Sequence, residues 1–142
     1  MKYAIVILTM SAAVPAFAAH ELDGRDLAIG KTLYAEHCAS CHGVDLEGQP
    51  NWQSPGVDGV LPAPPHDDTG HTWHHDNALL FTYTQLGGQE AVAQRGVTGF
   101  KSGMPAFGET LEDKAIWDIL AYIRSTWPKR VQDIQKQRNP PH

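Results

Sequence analysis

Apolar side chains recur at helical spacing in three stretches of this chain. Leu27, Gly30, Tyr34 and Cys38 share one face, with Asp26 placed to cap it, so a helix is expected over 26–38. Gly43 can end the local turn that follows. A second helix is expected from Asn77 to Leu86, capped by Asp76, with Leu79, Leu80, Tyr83 and Leu86 inward and Gly87-Gly88 as its stop. The third pattern is the strongest: Ile116, Ile119, Leu120, Ile123 and Trp127. Thr110 and Asp113 have capping-box spacing at its start, with Glu112 as an alternative first cap. Pro128 closes it, because a residue before proline is pushed out of helix geometry. Val131 to Arg138 suits a further short surface helix. Residues 43–75 carry Pro50, Pro55, Pro62, Pro64 and Pro65 with no surviving period, and read as loop. Residues 89–109 also read as loop, rich in Gly and holding Met104-Pro105. No strand alternation and no internal repeat is present, so the expected class is all-α.

The first residues change the picture of where the chain works. Lys2, an apolar stretch and Ala16-Phe17-Ala18 form the pattern of a secretory signal peptide over 1–18. That stretch is short beside the roughly 20 apolar residues of a membrane span. The expected product is a single exported domain over 19–128, periplasmic in a bacterium, with no membrane span after cleavage and a basic tail over 129–142. The formal charge of the full sequence is −5. Lys129, Arg130, Lys136 and Arg138 concentrate positive charge in the tail, leaving the body more acidic still. An acidic body argues against nucleic acid as a partner. A solvated, frayed terminus is the expected state of the tail.

Cys38-Ala39-Ser40-Cys41-His42 carries the chemistry. Two thiols three positions apart can each bond one vinyl group of a porphyrin, with the next histidine held beneath the ring to bind its iron. This is the spacing of a c-type haem attachment site, and it uses both cysteines of the chain. A thioredoxin-like disulfide would need a βαβ setting, and a zinc site would need further ligands at usual spacing. With His42 on one side of an iron, the other axial place is open. Met104 is the one methionine left after removal of the leader. Its soft thioether suits that place, and Pro105 restricts its backbone. The alternatives are a methionine packed into core, or a second histidine among His66, His71, His74 and His75. His71, His74 and His75 could also form a separate copper or zinc site, though loop histidines are the plainer expectation.

These residues resemble those of a class I, mono-haem bacterial cytochrome c. The resemblance spans Asp26–Trp127. It rests on the run from Tyr34 to Gly43, on Met104-Pro105-Ala106-Phe107, and on the run from Ile116 to Ile123. It implies a small cytochrome c fold of about four helices around one covalent haem c, with His42 and Met104 as iron ligands. It also implies that the first and last helices cross, with Gly30 and Tyr34 meeting Ile119 and Tyr122. The family generally uses a proline-region carbonyl to accept the proximal histidine's other N–H. Pro62 is the expected acceptor here, and Pro55 the alternative. Trp73 is a candidate to bond a haem propionate, or else an aromatic packed under the loop. Residues 43–103 depart from the smallest bacterial members in length and in proline and histidine content.

With both axial places filled, the iron can only exchange one electron between Fe(III) and Fe(II). The implied function is a periplasmic electron carrier, not an enzyme. Its donor would be a dehydrogenase or quinol-oxidising complex, and its acceptor a terminal oxidase or reductase. No ring of lysines surrounds the motifs, so the partner face is expected to be apolar with few charges. The alternatives are a fixed cytochrome subunit of an oxidoreductase complex, and a haem enzyme or gas sensor with a labile Met104.

Overall fold

A computed structural model describes residues 20–140. The signal peptide expected over 1–18 lies outside the described residues. Among those described, the fold is all-helical: α1 (Leu27–His37), α2 (Ala39–His42), a 3-10 turn (Thr72–His74), α3 (Asn77–Leu86), α4 (Gly88–Ala93), α5 (Asp113–Ser125) and α6 (Lys129–Lys136).

Helix α1 begins where the sequence places it. The Asp26 side chain accepts the Ala28 and Ile29 N–H groups, which have no partners within the helix. Of its expected inward face, Gly30 and Tyr34 are buried but Leu27 is exposed. Leu27 sits in the first turn, ahead of the crossing point that covers the rest of that face. The crossing partner is α5. A Cβ added to Gly30 would lie 2.1 Å from the Asp118 carbonyl oxygen, so the two backbones meet where only a glycine fits. Tyr34 and Tyr122 pack beside this point, their rings 5.6 Å apart.

Helix α5 supplies most of the core: Ile116, Ile119, Leu120, Ala121 and Ile123 are all buried. Its start corrects the capping-box expectation. Glu112 is the N-cap, and it makes no side-chain cap bond. Asp118 is buried on the same helix, paired with the Lys114 ammonium and accepting the Asp26 N–H at 3.4 Å. Trp127 lies just past the helix end and is also buried.

One stretch read as loop is helical, and the short helix suggested for the tail is present and packed. Gly87 ends α3 with a left-handed φ of 81°, but Gly88 opens α4 instead of a loop. Six residues are too few to show a helical period. The basic tail is not frayed: α6 buries Val131 and Gln135, and packs on the 3-10 turn at Thr72–His74. Among the described residues, no helix is long and apolar enough to cross a membrane.

Candidate functional site

The short helix α2 presents the motif. The Cys41 and His42 N–H groups both bond the Cys38 carbonyl, at 3.1 and 2.9 Å, closing a turn that brings both thiols and the imidazole together. Both cysteines are free thiols, Cys38 buried and Cys41 exposed. Burial and the neighbouring Cys41 push the Cys38 thiol up to about 11. Gly43 leaves the turn with φ 84°. The Tyr34 hydroxyl donates to the Gly43 carbonyl at 3.2 Å, fixing the exit of the motif to α1.

His42 is buried, and its Nδ1 lies 2.8 Å from the Pro64 carbonyl oxygen. A proton on Nδ1 satisfies that bond and leaves Nε2, which bonds nothing among the described residues, with a free lone pair. Burial lowers the His42 pKa, opposed by the Pro64 bond, so the neutral ligating form is favoured. The acceptor is Pro64 and not Pro62 as expected. The shift of two residues follows from the path of the loop. Gln49 pairs with Ala63 through its N–H and its side-chain oxygen, at 2.8 and 3.0 Å. That pairing uses the residue after Pro62 and delivers the next carbonyl to His42. Gly48 and Gly70 then let the chain close on Pro65, since a Cβ at either would come within 2.4 Å of Pro65 backbone atoms.

Trp73 donates its indole N–H to the Gly70 carbonyl at 3.0 Å. It therefore packs under the loop, with its donor already used inside it. His66 lies flat against His42, ring centroids 3.8 Å apart and planes 16° from parallel. Two histidines on one iron would approach from opposite faces, so this stack makes His66 a neighbour of His42 and not an opposing ligand. His71 stacks on Trp52, and His74 packs on Trp73. Among the described residues, no group of three His, Cys, Asp or Glu side chains is placed to hold a metal ion.

Met104 is held by its backbone. Its N–H donates to Ser102 Oγ at 3.1 Å, and its carbonyl accepts the Gly88 N–H at 3.2 Å. Ser102 Oγ also lies 3.2 Å from the Tyr83 hydroxyl on α3. Just beyond, Phe107 and Gly108 donate to the Thr84 and Gln85 carbonyls at the end of α3. The Met104 loop is thus laced to the α3–α4 junction. A Cβ on Gly88 would fall 2.1 Å from Ser102 Oγ and 2.4 Å from the Tyr83 hydroxyl oxygen. Gly87-Gly88 therefore admits this loop as well as ending α3.

The model of the family described as cytochrome c matches residues 27–127. The chain belongs to the cytochrome c family. Haem c, with its iron, is the cofactor of that family. The residues here fit it: two free thiols on one turn and an imidazole anchored through Nδ1 with Nε2 unbonded. The cytochrome is 34% identical over 104 residues to the Cbb3-type cytochrome c oxidase subunit CcoP of Azospirillum sp. (strain B510). That match covers 72% of this chain and 29% of the relative. A second CcoP, from Azospirillum brasilense, is 32% identical over 97 residues, 68% of this chain and 27% of the relative. This cytochrome therefore spans under a third of the length of those subunits. It is 27% identical over 100 residues to cytochrome c6 of Diacronema lutheri, covering 70% of this chain and 95% of that protein. No solved structure gives a significant match.

Proposed function

We propose that this cytochrome is a periplasmic electron carrier, moving single electrons between a donor dehydrogenase or quinol-oxidising complex and a terminal oxidase or reductase. Family membership supports electron transfer as the activity, and the signal-peptide pattern over 1–18 supports the compartment. The observation that carries the reading is the anchored His42: Nδ1 at 2.8 Å from Pro64, on the turn that holds both thiols. In this reading Cys38 and Cys41 hold the haem through thioether bonds, His42 is the proximal ligand and Met104 the distal one. When bound, the haem supplies one-electron exchange at its iron. The protein's part is to fix both ligands so that little has to rearrange when the charge changes. Pro64 holds His42, and Ser102 and Gly88 hold the Met104 backbone.

Visible spectra of the purified protein, made with haem-attachment machinery, test this. A low-spin c-type spectrum with the weak red methionine-to-iron band is the expected result, with no carbon monoxide uptake by the reduced form. A high-spin spectrum with rapid carbon monoxide binding would replace the carrier with a gas sensor or haem enzyme. A second reading is a cytochrome working as a fixed subunit of an oxidase complex, favoured by the likeness to the two CcoP proteins. Isolation from native membranes as a stable complex supports that reading; recovery as a free monomer supports the carrier.

A further inference from the structure

The 43–75 loop does more than deliver Pro64. Within it the His66 backbone is fixed at both its N–H and its carbonyl. The His66 N–H donates to the Leu46 carbonyl at 2.8 Å, and the His66 carbonyl accepts the Trp127 indole N–H at 2.7 Å. Pro64 and Pro65 come immediately before it, each fixing its own φ. Leu46, whose carbonyl holds the His66 N–H, is a buried non-glycine residue at a left-handed φ of 65°. Such a conformation persists only where the surroundings over-determine it. The result is an imidazole lying 3.8 Å from that of His42 and 16° from parallel, with its edge toward the Tyr34 ring at 5.8 Å.

The second observation is a polar atom with nothing to bond. His66 Nδ1 is buried and has no hydrogen-bond partner among the described residues. An unsatisfied buried polar atom is costly, and an apolar side chain would fill the same space without that cost. A polar ring therefore covers the face of His42.

We propose that His66 is a positioning residue of the haem site, setting the plane of the His42 ring and lowering the reduction potential through its polar ring. This rests on the reading of His42 as proximal ligand. The plane follows from the stack: the Pro64 bond fixes one atom of His42, and a flat neighbour fixes the rotation that remains. The sign of the potential follows from polarity. Polar surroundings favour the more highly charged Fe(III) form, and apolar surroundings favour Fe(II). Taking the polar ring away should favour reduction.

The test compares the holo-protein with His66→Leu and His66→Phe by redox titration and by electron paramagnetic resonance of the oxidised form. Leu removes both plane and polarity; Phe keeps the plane. In His66→Leu the reduced-to-oxidised ratio at fixed applied potential should rise about tenfold, equivalent to about 59 mV for one electron. Its g-values should also move. In His66→Phe the potential should rise while the g-values stay near those of the wild type. A wild-type potential or wild-type g-values in His66→Leu would overturn the proposal. Should His66→Leu fail to fold, His66→Phe decides, and an unchanged potential there would overturn it. Failure of the underlying reading is distinguishable, because the unsubstituted protein would then lack a low-spin haem c spectrum before any variant is compared.

Discussion

His42 shows how a single residue is prepared for its role. Burial disfavours the imidazolium, and the Pro64 carbonyl claims Nδ1, so the chain presents a neutral ring with Nε2 unbonded. Met104 is held through its backbone, by Ser102 and Gly88. If it is the distal ligand, Met104→Ala should leave the haem covalently attached, lower the potential and admit carbon monoxide to the reduced iron. Redox titration and a carbon monoxide difference spectrum read both effects, and an unchanged potential would remove Met104 from the iron. That Cys38, Cys41 and His42 come together was legible in the sequence, because their spacing alone places them on one turn. Pro64 was not, because three nearby prolines each offer a carbonyl. Only the path of the loop, set by the Gln49–Ala63 pairing and the contacts of Gly48 and Gly70 with Pro65, selects one. His66 drew attention as a possible ligand, but its stacking on His42 depends on that same path.

At the scale of elements, the α1–α5 crossing depends on Gly30. Its Cβ position is occupied by the Asp118 backbone, which has no flexible end to move aside. Gly30→Val should therefore destabilise the fold by roughly 2 kcal/mol or more, as expected for overpacking a tight contact. Urea denaturation of the holo-protein would measure this, and a wild-type midpoint would show that the helices can part without cost. This crossing was readable in advance because a glycine and two complementary apolar faces mark it. Helix α3 was readable to its ends, since Asp76 and Gly87 are strong boundary signals. Helix α4 was not, because six residues show no period and its first residue is glycine. The N-cap of α5 was read only as the alternative to Thr110, because Glu112 makes no side-chain bond that would distinguish it.

Across the whole molecule, the two ends of the described chain meet in one buried polar cluster. The Gln135 side-chain amide donates to the Asn77 side-chain oxygen at 2.7 Å, and Asn77 donates to Glu21 at 2.7 Å beside the buried His20 ring. Burial lowers the His20 pKa; Glu21 and Asp23 oppose the shift, while Arg124 and Lys136 add to it. The unfolded chain then binds a proton more readily than the folded one. Stability is full above the ordinary histidine value of about 6.5 and falls as pH drops below it. Urea midpoints between pH 7.5 and 5 should fall with acid, and His20→Gln should flatten that slope. Trp127 links the C-terminal region to the His42 turn through His66. Trp127→Phe should cost about 1 kcal/mol by leaving the half-buried His66 carbonyl without its donor. Thermal melts of the two forms would show it.

The contact between the Asp26 N–H and Asp118 has a consequence for assembly, because these residues stand 92 positions apart. The core cannot close until most of the chain has been made, since its first helix must wait for its fifth. During that wait Cys38, which the closed core buries, stays as reachable as Cys41, which is exposed even in the folded chain. Late closure thus keeps Cys38 open to its cofactor, and the arrival of the last long helix completes the core that covers it.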